Sequence, residues 1–165
     1  MEISVYNQEG AKKLSRALPK DVVYMCIGTS AVVADSLGPM VGSLLQQDMP
    51  KPLFVYGFCA SNITALNLAA AYEVIKLFHP DKKVLVIDAA VGEEQEKGKI
   101  IYNSFPLIPG AATKKNLNAV GDYSLMGVVA QRGLGDFYDS AADKKMLISQ
   151  MAEVIASAVR LSEQN

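Results

Sequence analysis

The stretch DVVYMCIGTSAVVADSLGPMVGSLLQQ, residues 21–47, passes from a buried strand into a helix. Its first seven residues are almost continuously apolar, as in a strand that is covered on both faces of its sheet. After an irregular loop, Leu37, Val41 and Leu44 repeat at helical spacing, and Pro39 is tolerated because it falls in the first helical turn. A strand, a loop and a helix in this order are typical of α/β proteins.

The same alternation continues along the chain. Two more short apolar runs, PLFVYG (52–57) and KKVLVIDA (82–89), predict strands, and helical patterns cover residues 7–18, 61–78 and 140–163. The order β-α-β-α-β implies right-handed crossovers and a mainly parallel central sheet. We therefore expect a three-layer α/β/α fold, with helices on both faces of the sheet.

Two of the predicted helices carry an apolar stripe that we expect to face the core. In the helix over 61–78 the stripe consists of Ile63, Leu66, Ala70, Val74 and Leu77. In the last helix the inward residues are Met146, Met151, Ile155 and Val159. The segments 98–110 and 122–130 predict strands that extend the sheet or form a hairpin at one edge.

Length and charge exclude several classes of protein. The 165 residues suit one domain over 1–165, and 16 basic against 17 acidic residues, with no basic run, argue against nucleic-acid binding. The longest apolar runs are much shorter than the roughly 20 residues of a membrane span, and the N-terminus lacks a signal-peptide pattern. Cys26 and Cys59 are too few for a disulfide framework or a zinc site, so we interpret both as small buried thiols. A cytoplasmic protein fits these features, and a homodimer is one option for its oligomeric state.

Two carboxylates follow strands of the predicted sheet. Asp35 lies on the loop after the first strand, and Asp88 closes the third. If the strand order is 2-1-3, both side chains face one crevice, where they can share a proton, bind a metal, or divide general-base and general-acid duty. Two structural interpretations stay open: Asp35 as a helix N-cap, and Asp88 as a loop residue that binds backbone N–H groups.

Other motifs give weaker indications. The loop after the first strand lacks the G-x-G-x-x-G spacing and the P-loop lysine, and Ser30 and Ser36 have no evident histidine partner. His79 is expected at the end of a helix, before a proline. The run GEEQEKGK (92–99) is interpreted as a solvated loop, and PLIPGAATKKNLNAVGD (106–122) as a functional loop that covers the crevice.

Two motifs resemble a known group of proteases. IGTSAVVADSLGP (27–39) resembles the signature of the germination protease of bacterial spores and the related loop of hydrogenase maturation endopeptidases, and VIDAAVG (86–92) is similar to the second acidic motif of both. PGAATKKNLNAVGDYSLMGVV (109–129) and MAEVIASAV (151–159) resemble the YyaC family of sporulation proteins, which has the same protease-like fold. This resemblance covers about residues 20–160.

The resemblance implies an active site. In the protease relatives the paired acids are essential to peptide cleavage, and by this likeness they correspond to Asp35 and Asp88, with Gly28 and Thr29 shaping the loop. The implied partner is a protein or peptide substrate, and no cofactor is implied.

The chain departs from the family pattern at two polar positions. Ser30 stands where YyaC-like sequences usually have Asp, and Thr64 occupies the place of a His, so both are candidate binding residues. Without imidazole or thiolate ligands in the crevice, no tightly bound nickel or zinc is expected. Two hypotheses follow: an aspartate-dependent endopeptidase of a spore-forming bacterium, or a non-catalytic sporulation factor that binds a peptide or protein partner in the same crevice.

Overall fold

The computed structural model describes residues 1–47, 51–109, 118–133 and 140–164. Within these ranges it contains a six-stranded sheet and four α-helices, and no helix is both long and apolar enough to cross a bilayer. The elements are β1 (Glu2–Ser4), α1 (Gly10–Ser15), β2 (Val23–Cys26), α2 (Leu37–Leu45), β3 (Phe54–Tyr56), α3 (Leu68–Phe78), β4 (Val84–Gly92), β5 (Lys99–Asn103), β6 (Tyr123–Gln131) and α4 (Ala141–Gln164).

The sheet is mixed but mainly parallel, with the strand order β1-β5-β6-β4-β2-β3. β2 pairs in parallel with both β3 and β4, and β4 pairs in parallel with β6. The first three strands predicted from the sequence therefore have the order 2-1-3, which is the condition for Asp35 and Asp88 to face one crevice. β5 runs antiparallel to β6 and extends the sheet, as expected, while β1, which the sequence analysis missed, adds three residues at the outer edge.

Helices cover both faces of the sheet, which confirms the three-layer architecture. Alternate residues of β2 point to opposite faces. Tyr24 and Cys26 belong to a core cluster that includes side chains of α1, α2 and α4, whereas Val23 and Met25 belong to a second cluster with α3. All four side chains are fully buried, because β2 lies between two strands and two helical layers.

The helix predicted over 61–78 begins only at Leu68. Upstream of it, the Asn67 side chain accepts a hydrogen bond from the Thr64 N–H at 2.7 Å, and the Leu68 N–H donates to the Thr64 carbonyl at 2.9 Å. A short polar side chain that binds nearby backbone favours a turn over a helix. The helix ends where expected, with His79 as its C-terminal capping residue.

The prediction that this apolar stripe of α3 faces the core is wrong. Leu68 and Ile75 are the buried residues of this helix. Leu66, Val74 and Leu77 are exposed, because the inward face of the helix, marked by Leu68 and Ile75, lies about 150° around the helix axis from their stripe. Ile63 is buried, but it lies before the helix and forms a bridge with the end of β2.

In α4 the prediction is confirmed for three of four residues. Met151, Ile155 and Val159 are fully buried. Met146 is exposed, so its inward placement is wrong. It precedes Met151 by five residues and so lies about 140° around the helix from it.

The two cysteines differ in environment. Cys26 is buried in β2, as expected, but Cys59 is exposed, which corrects its interpretation as a buried thiol. Cys59 follows β3 in a tight turn that is closed by hydrogen bonds between Phe58 and Ser61, and its own N–H donates to the Ser43 hydroxyl at 3.0 Å.

Candidate active site

The chain turns sharply at Gly28, just after β2. Gly28 has a φ of 132°, a region that favours glycine, and its N–H donates to the Ile63 carbonyl at 2.8 Å. A Cβ atom at this position would overlap the Asp35 carbonyl oxygen. The Thr29 N–H donates to that same carbonyl at 2.8 Å. Gly28 and Thr29 thus close the loop that carries Asp35.

Asp35 ends a short 3-10 turn, Val33–Asp35, immediately before α2. It is half-buried. Ser36, and not Asp35, occupies the N-cap position of α2, and its side chain makes no capping hydrogen bond. The interpretation of Asp35 as the N-cap itself is therefore wrong, although Asp35 lies close to the cap, one residue before it.

Asp88 lies within β4 and not at its end, which corrects the sequence-based placement. The pairing of β2 with β4 stops at Cys26 and Ile87, whereas β4 runs on to Gly92 beside β6. Asp88 is thus the first residue of β4 after β2 has turned away, and a crevice opens beside it. The Ala89 N–H donates to the Asp88 carboxylate at 2.8 Å.

Asp35 and Asp88 line the same cavity of about 460 Å³. Apolar side chains of β5, β6 and the segment after β5 form much of its wall, among them Ile101, Leu107 and Met126. A cavity of this size with few polar groups is typical of a ligand-binding or active site. The structure therefore brings together the two acids that the sequence singles out.

The two carboxyl groups differ in their protonation. Burial raises the pKa of Asp88, the Ala89 N–H lowers it, the negative charge of Asp35 raises it, and the net pKa is about 7. Burial also raises the pKa of Asp35, and a hydrogen bond from the Thr29 backbone opposes this shift. Asp88 therefore keeps its proton to a much higher pH than an ordinary aspartate.

The sequence analysis missed two charged residues that line the cavity, Glu96 and Arg132. Glu96 belongs to the acidic run that was interpreted as a solvated loop. It accepts a hydrogen bond from the Glu93 N–H at 2.7 Å, as part of a capping box in the turn after β4. The spacing of Glu93 and Glu96 is the signal that could have indicated this turn. The Arg132 side chain lies 4.0 Å from the Glu93 carboxylate.

The structure does not place Thr29, Ser30 or Thr64 among the residues that line this cavity. The hydroxyls of Thr29 and Ser30 donate to the Asn62 side-chain oxygen at 3.2 and 3.3 Å. Thr64 lies in the turn before α3, where its hydroxyl accepts from the Leu66 N–H at 3.3 Å. These three residues shape loops, and Asn62, which the sequence analysis missed, joins two of those loops.

The long irregular segment over 106–122 is described in part, because residues 110–117 lie outside the described ranges. Its two ends meet in an antiparallel bridge between Leu107 and Val120. Leu107 and Ile108 line the cavity that contains the two acids. The described start of this segment is therefore part of the crevice wall.

The side chains present at the cavity do not suit nickel or zinc. Among the residues that the structure describes, its possible ligands are the carboxylates of Asp35, Asp88 and Glu96, whereas nickel and zinc sites generally use imidazole or thiolate. In the part of the chain that the structure describes, no three His, Cys, Asp or Glu side chains are grouped to hold one ion. His79 is engaged elsewhere, with its ring nitrogen 2.9 Å from the Tyr56 hydroxyl.

Comparison with solved structures supports a protease-like fold. The chain is similar to the [NiFe] hydrogenase maturation protease HycI from Thermococcus kodakarensis KOD1, with a TM-score of 0.51 and 21% sequence identity. The match covers 84% of this chain and 91% of HycI. At this level of identity the likeness shows the fold alone.

Comparison of sequences gives the family. The uncharacterized protein YyaC of Bacillus subtilis (strain 168) is 31% identical over 153 residues, which are 93% of this chain and 75% of YyaC. Residues 4–158 match the family described as protein of unknown function (DUF1256). Because this match spans nearly the whole sequence, the chain belongs to the DUF1256 family.

Proposed function

We propose that this protein is an aspartate-dependent endopeptidase that cleaves a specific protein or peptide. The observation that carries the proposal is the placement of Asp35 and Asp88 on one cavity, with the pKa of Asp88 raised to about 7. Two carboxyl groups of unequal pKa can work as base and acid in the same reaction. The protease-like fold supports this assignment.

The unequal burial of the acids assigns their roles. In this proposal Asp35 acts as the base and takes a proton from a water as the water oxygen bonds to the peptide carbonyl carbon. Protonated Asp88 gives its proton to the carbonyl oxygen, which yields a neutral tetrahedral intermediate. As the C–N bond breaks, Asp35 passes its proton to the leaving nitrogen, and Asp88 takes one back from a hydroxyl of the intermediate. Both acids return to their starting state.

The cavity also indicates what the substrate presents. Its wall is largely apolar near the acids, with Ile101, Leu107, Ile108 and Met126, so an apolar side chain beside the cleaved bond fits best. We further propose that the substrate is a cytoplasmic protein of a sporulating cell. The sequence resemblance to sporulation proteins and the relative from Bacillus subtilis support this setting.

Cleavage of a proteome-derived peptide library tests the function, with new N-termini identified by mass spectrometry. We expect cleavage by the parent protein and a loss of at least about 100-fold in both Asp35→Asn and Asp88→Asn, because general acid–base catalysis contributes that much or more. Asp81→Asn, which changes an exposed Asp outside the cavity, is the matched control and should retain activity. Equal product from the parent and from Asp88→Asn would reject a peptidase.

The pH dependence of cleavage provides a second prediction. Since Asp88 must hold a proton and its pKa is about 7, kcat/KM should fall tenfold per pH unit above that value. Activity should also fall at acidic pH, where Asp35 becomes protonated. A profile measured from pH 4 to pH 9 on a cleaved library peptide checks this expectation. A rate that keeps rising between pH 7 and pH 9 would contradict the role of Asp88 as the acid.

A non-catalytic binding protein is the second candidate. The observation that favours it is the engagement of Thr29 and Ser30 with Asn62, which leaves them no part in the chemistry of the acids. Such a protein would bind a peptide in the same cavity without cleaving it. In the library experiment such a binding protein would bind particular peptides without cleaving them, and its Asp88→Asn variant would bind the same peptides.

A further inference from the structure

One apolar stripe with helical periodicity is not buried by this chain. Ala70, Val74 and Leu77 form a stripe along α3, and Phe78 lies next to it on the same side of the helix. This side of α3 is open to solvent, and so is Leu66, which lies just before the helix. The exposed fractions of its large residues and of Phe54 in β3 are 98% for Leu66, 78% for Leu77, 69% for Phe78, and 45% each for Val74 and Phe54. A single exposed Leu is ordinary, but an exposed group of this kind marks an interaction site.

This stripe faces the edge of the sheet. Ala70 and Val74 line a groove of about 450 Å³ together with Val55 and Tyr56 of β3. At the end of α3, the His79 ring lies 4.3 Å from the Phe54 ring, centroid to centroid. The outer side of α3 and the edge strand β3 thus border one groove, and we call this groove with the exposed Leu66, Leu77, Phe78 and Phe54 beside it the α3–β3 surface.

The strand in this surface is an uncovered edge. β3 is the last strand of the sheet and pairs only with β2 among the described strands. The three residues of β3 contain no lysine or proline, although Lys51 and Pro52 lie just before the strand and the Lys82 ammonium lies 5.5 Å from the Phe54 ring centroid. An exposed strand edge beside an exposed apolar helix therefore indicates that another chain covers both.

We propose that the α3–β3 surface is the contact between two copies of this chain, related by a two-fold axis. The five large side chains expose roughly 450 Å² of apolar area per copy, taking about 200 Å² for a phenylalanine and about 100 Å² for an aliphatic side chain. A standard interface buries about 800 Å² per partner, of which roughly 450–520 Å² is apolar. The area of this one surface therefore matches what a stable dimer needs.

A second copy also suits the character of the surface. A two-fold contact must be self-complementary, and an apolar helix flank beside an open strand edge meets that requirement, since each element can pack on its own copy. The cavity with Asp35 and Asp88 lies on the other side of β2 and shares no residue with the groove. The dimer would therefore leave the candidate active site open, and the inference stands apart from the proposed function.

Self-association of the full chain tests the inference. By light scattering and sedimentation over roughly 1–200 µM, a range that brackets micromolar affinity, we expect a mass twice that of the 17.7 kDa chain. Leu77→Lys and Val74→Lys should each weaken association at least about 100-fold, because a symmetric contact contains every substitution twice. Both positions are exposed within one chain, so the variants should keep the parent's circular dichroism spectrum.

Met146→Lys is the matched control. Met146 is 60% exposed and lies on α4, in the helical layer on the opposite face of the sheet, so its replacement should leave the dimer intact. A parent protein that stays monomeric at the highest concentration would overturn the inference, since the surface would then belong to a different partner. A dimer that persists in Leu77→Lys, or one that Met146→Lys disrupts equally, would also overturn it.

Discussion

Replacing Asp88 by Asn is expected to stabilise the protein more at pH 8 than at pH 5. The pKa of Asp88 is about 7 in the folded protein, against an ordinary value of 3.8. Below pH 3.8 both the folded protein and the unfolded chain hold the proton. Between 3.8 and about 7 the unfolded chain releases it while the folded protein keeps it, so each pH unit favours unfolding by about 1.4 kcal/mol. Asn has no proton to lose and escapes this penalty.

The size of the effect follows from these two pKa values. Between pH 5 and pH 8 the parent should lose roughly 2–3 kcal/mol relative to Asp88→Asn. For a chain of this length, the Tm of Asp88→Asn should rise relative to that of the parent by roughly 5–10 °C between pH 5 and pH 8. Thermal and urea unfolding of both proteins at the two pH values measures it. Asn keeps the oxygen that accepts the Ala89 N–H, so the comparison isolates the ionisation.

Asp122→Asn provides a control, because the pKa of Asp122 is shifted in the opposite direction to that of Asp88. Although burial raises the pKa of Asp122, hydrogen bonds from the Lys83 side chain and the Val84 N–H lower it more, and the net pKa lies below its ordinary value. This carboxylate stabilises the fold above pH 4 and loses its effect as the pH falls through the folded pKa. The Asn variant should be less stable than the parent by a similar amount at pH 5 and pH 8. The same behaviour in Asp88→Asn would mean a satisfied, ionised carboxylate, and the shared-proton mechanism would have to be abandoned.

The sequence predicted the parts of the fold that depend on local pattern. The continuous apolar runs of β2 and β4 require cover on both faces, and they lie at the centre of the sheet. The alternation with helices then fixed a parallel order, and that order brought Asp35 and Asp88 to one cavity. Pattern and topology together were therefore enough to find the acidic pair.

The parts that could not be predicted depend on contacts between distant segments. The departure of β2 beside Asp88 and the approach of Arg132 after β6 leave no local signal. The stripe containing Val74 and Leu77 has helical periodicity, but periodicity does not say whether this chain or another covers the stripe. Asn62 leaves no local signal either: its side-chain oxygen accepts three hydrogen bonds from residues that lie 32 or 33 positions away in the chain.

Gly28→Ala is expected to be the most damaging single-methyl change near the site. The new Cβ would overlap the Asp35 carbonyl oxygen, a backbone atom that cannot rotate away, and alanine strongly disfavours the φ of 132°. We expect a loss of roughly 3–5 kcal/mol in the free energy of unfolding, since strain and overlap add at this position. The Tm should fall by about 10 °C, and cleavage should fall as far as in Asp35→Asn, because the strand-to-helix loop can absorb the methyl group only by moving Asp35.

Gly98→Ala separates the cost of the backbone conformation from the cost of the steric overlap. Gly98 has a φ of 87°, also in the region that favours glycine, but a Cβ there would meet only side-chain carbons of Tyr6 and Val5 at 3.5 and 3.6 Å. The backbone penalty alone should therefore cost about 1–2 kcal/mol and leave cleavage unchanged. The excess loss in Gly28→Ala measures how firmly the Gly28 turn holds Asp35 in place. If the two variants lose equal stability and keep equal activity, the loop relaxes around the methyl group, and the position of Asp35 does not depend on the close approach at Gly28.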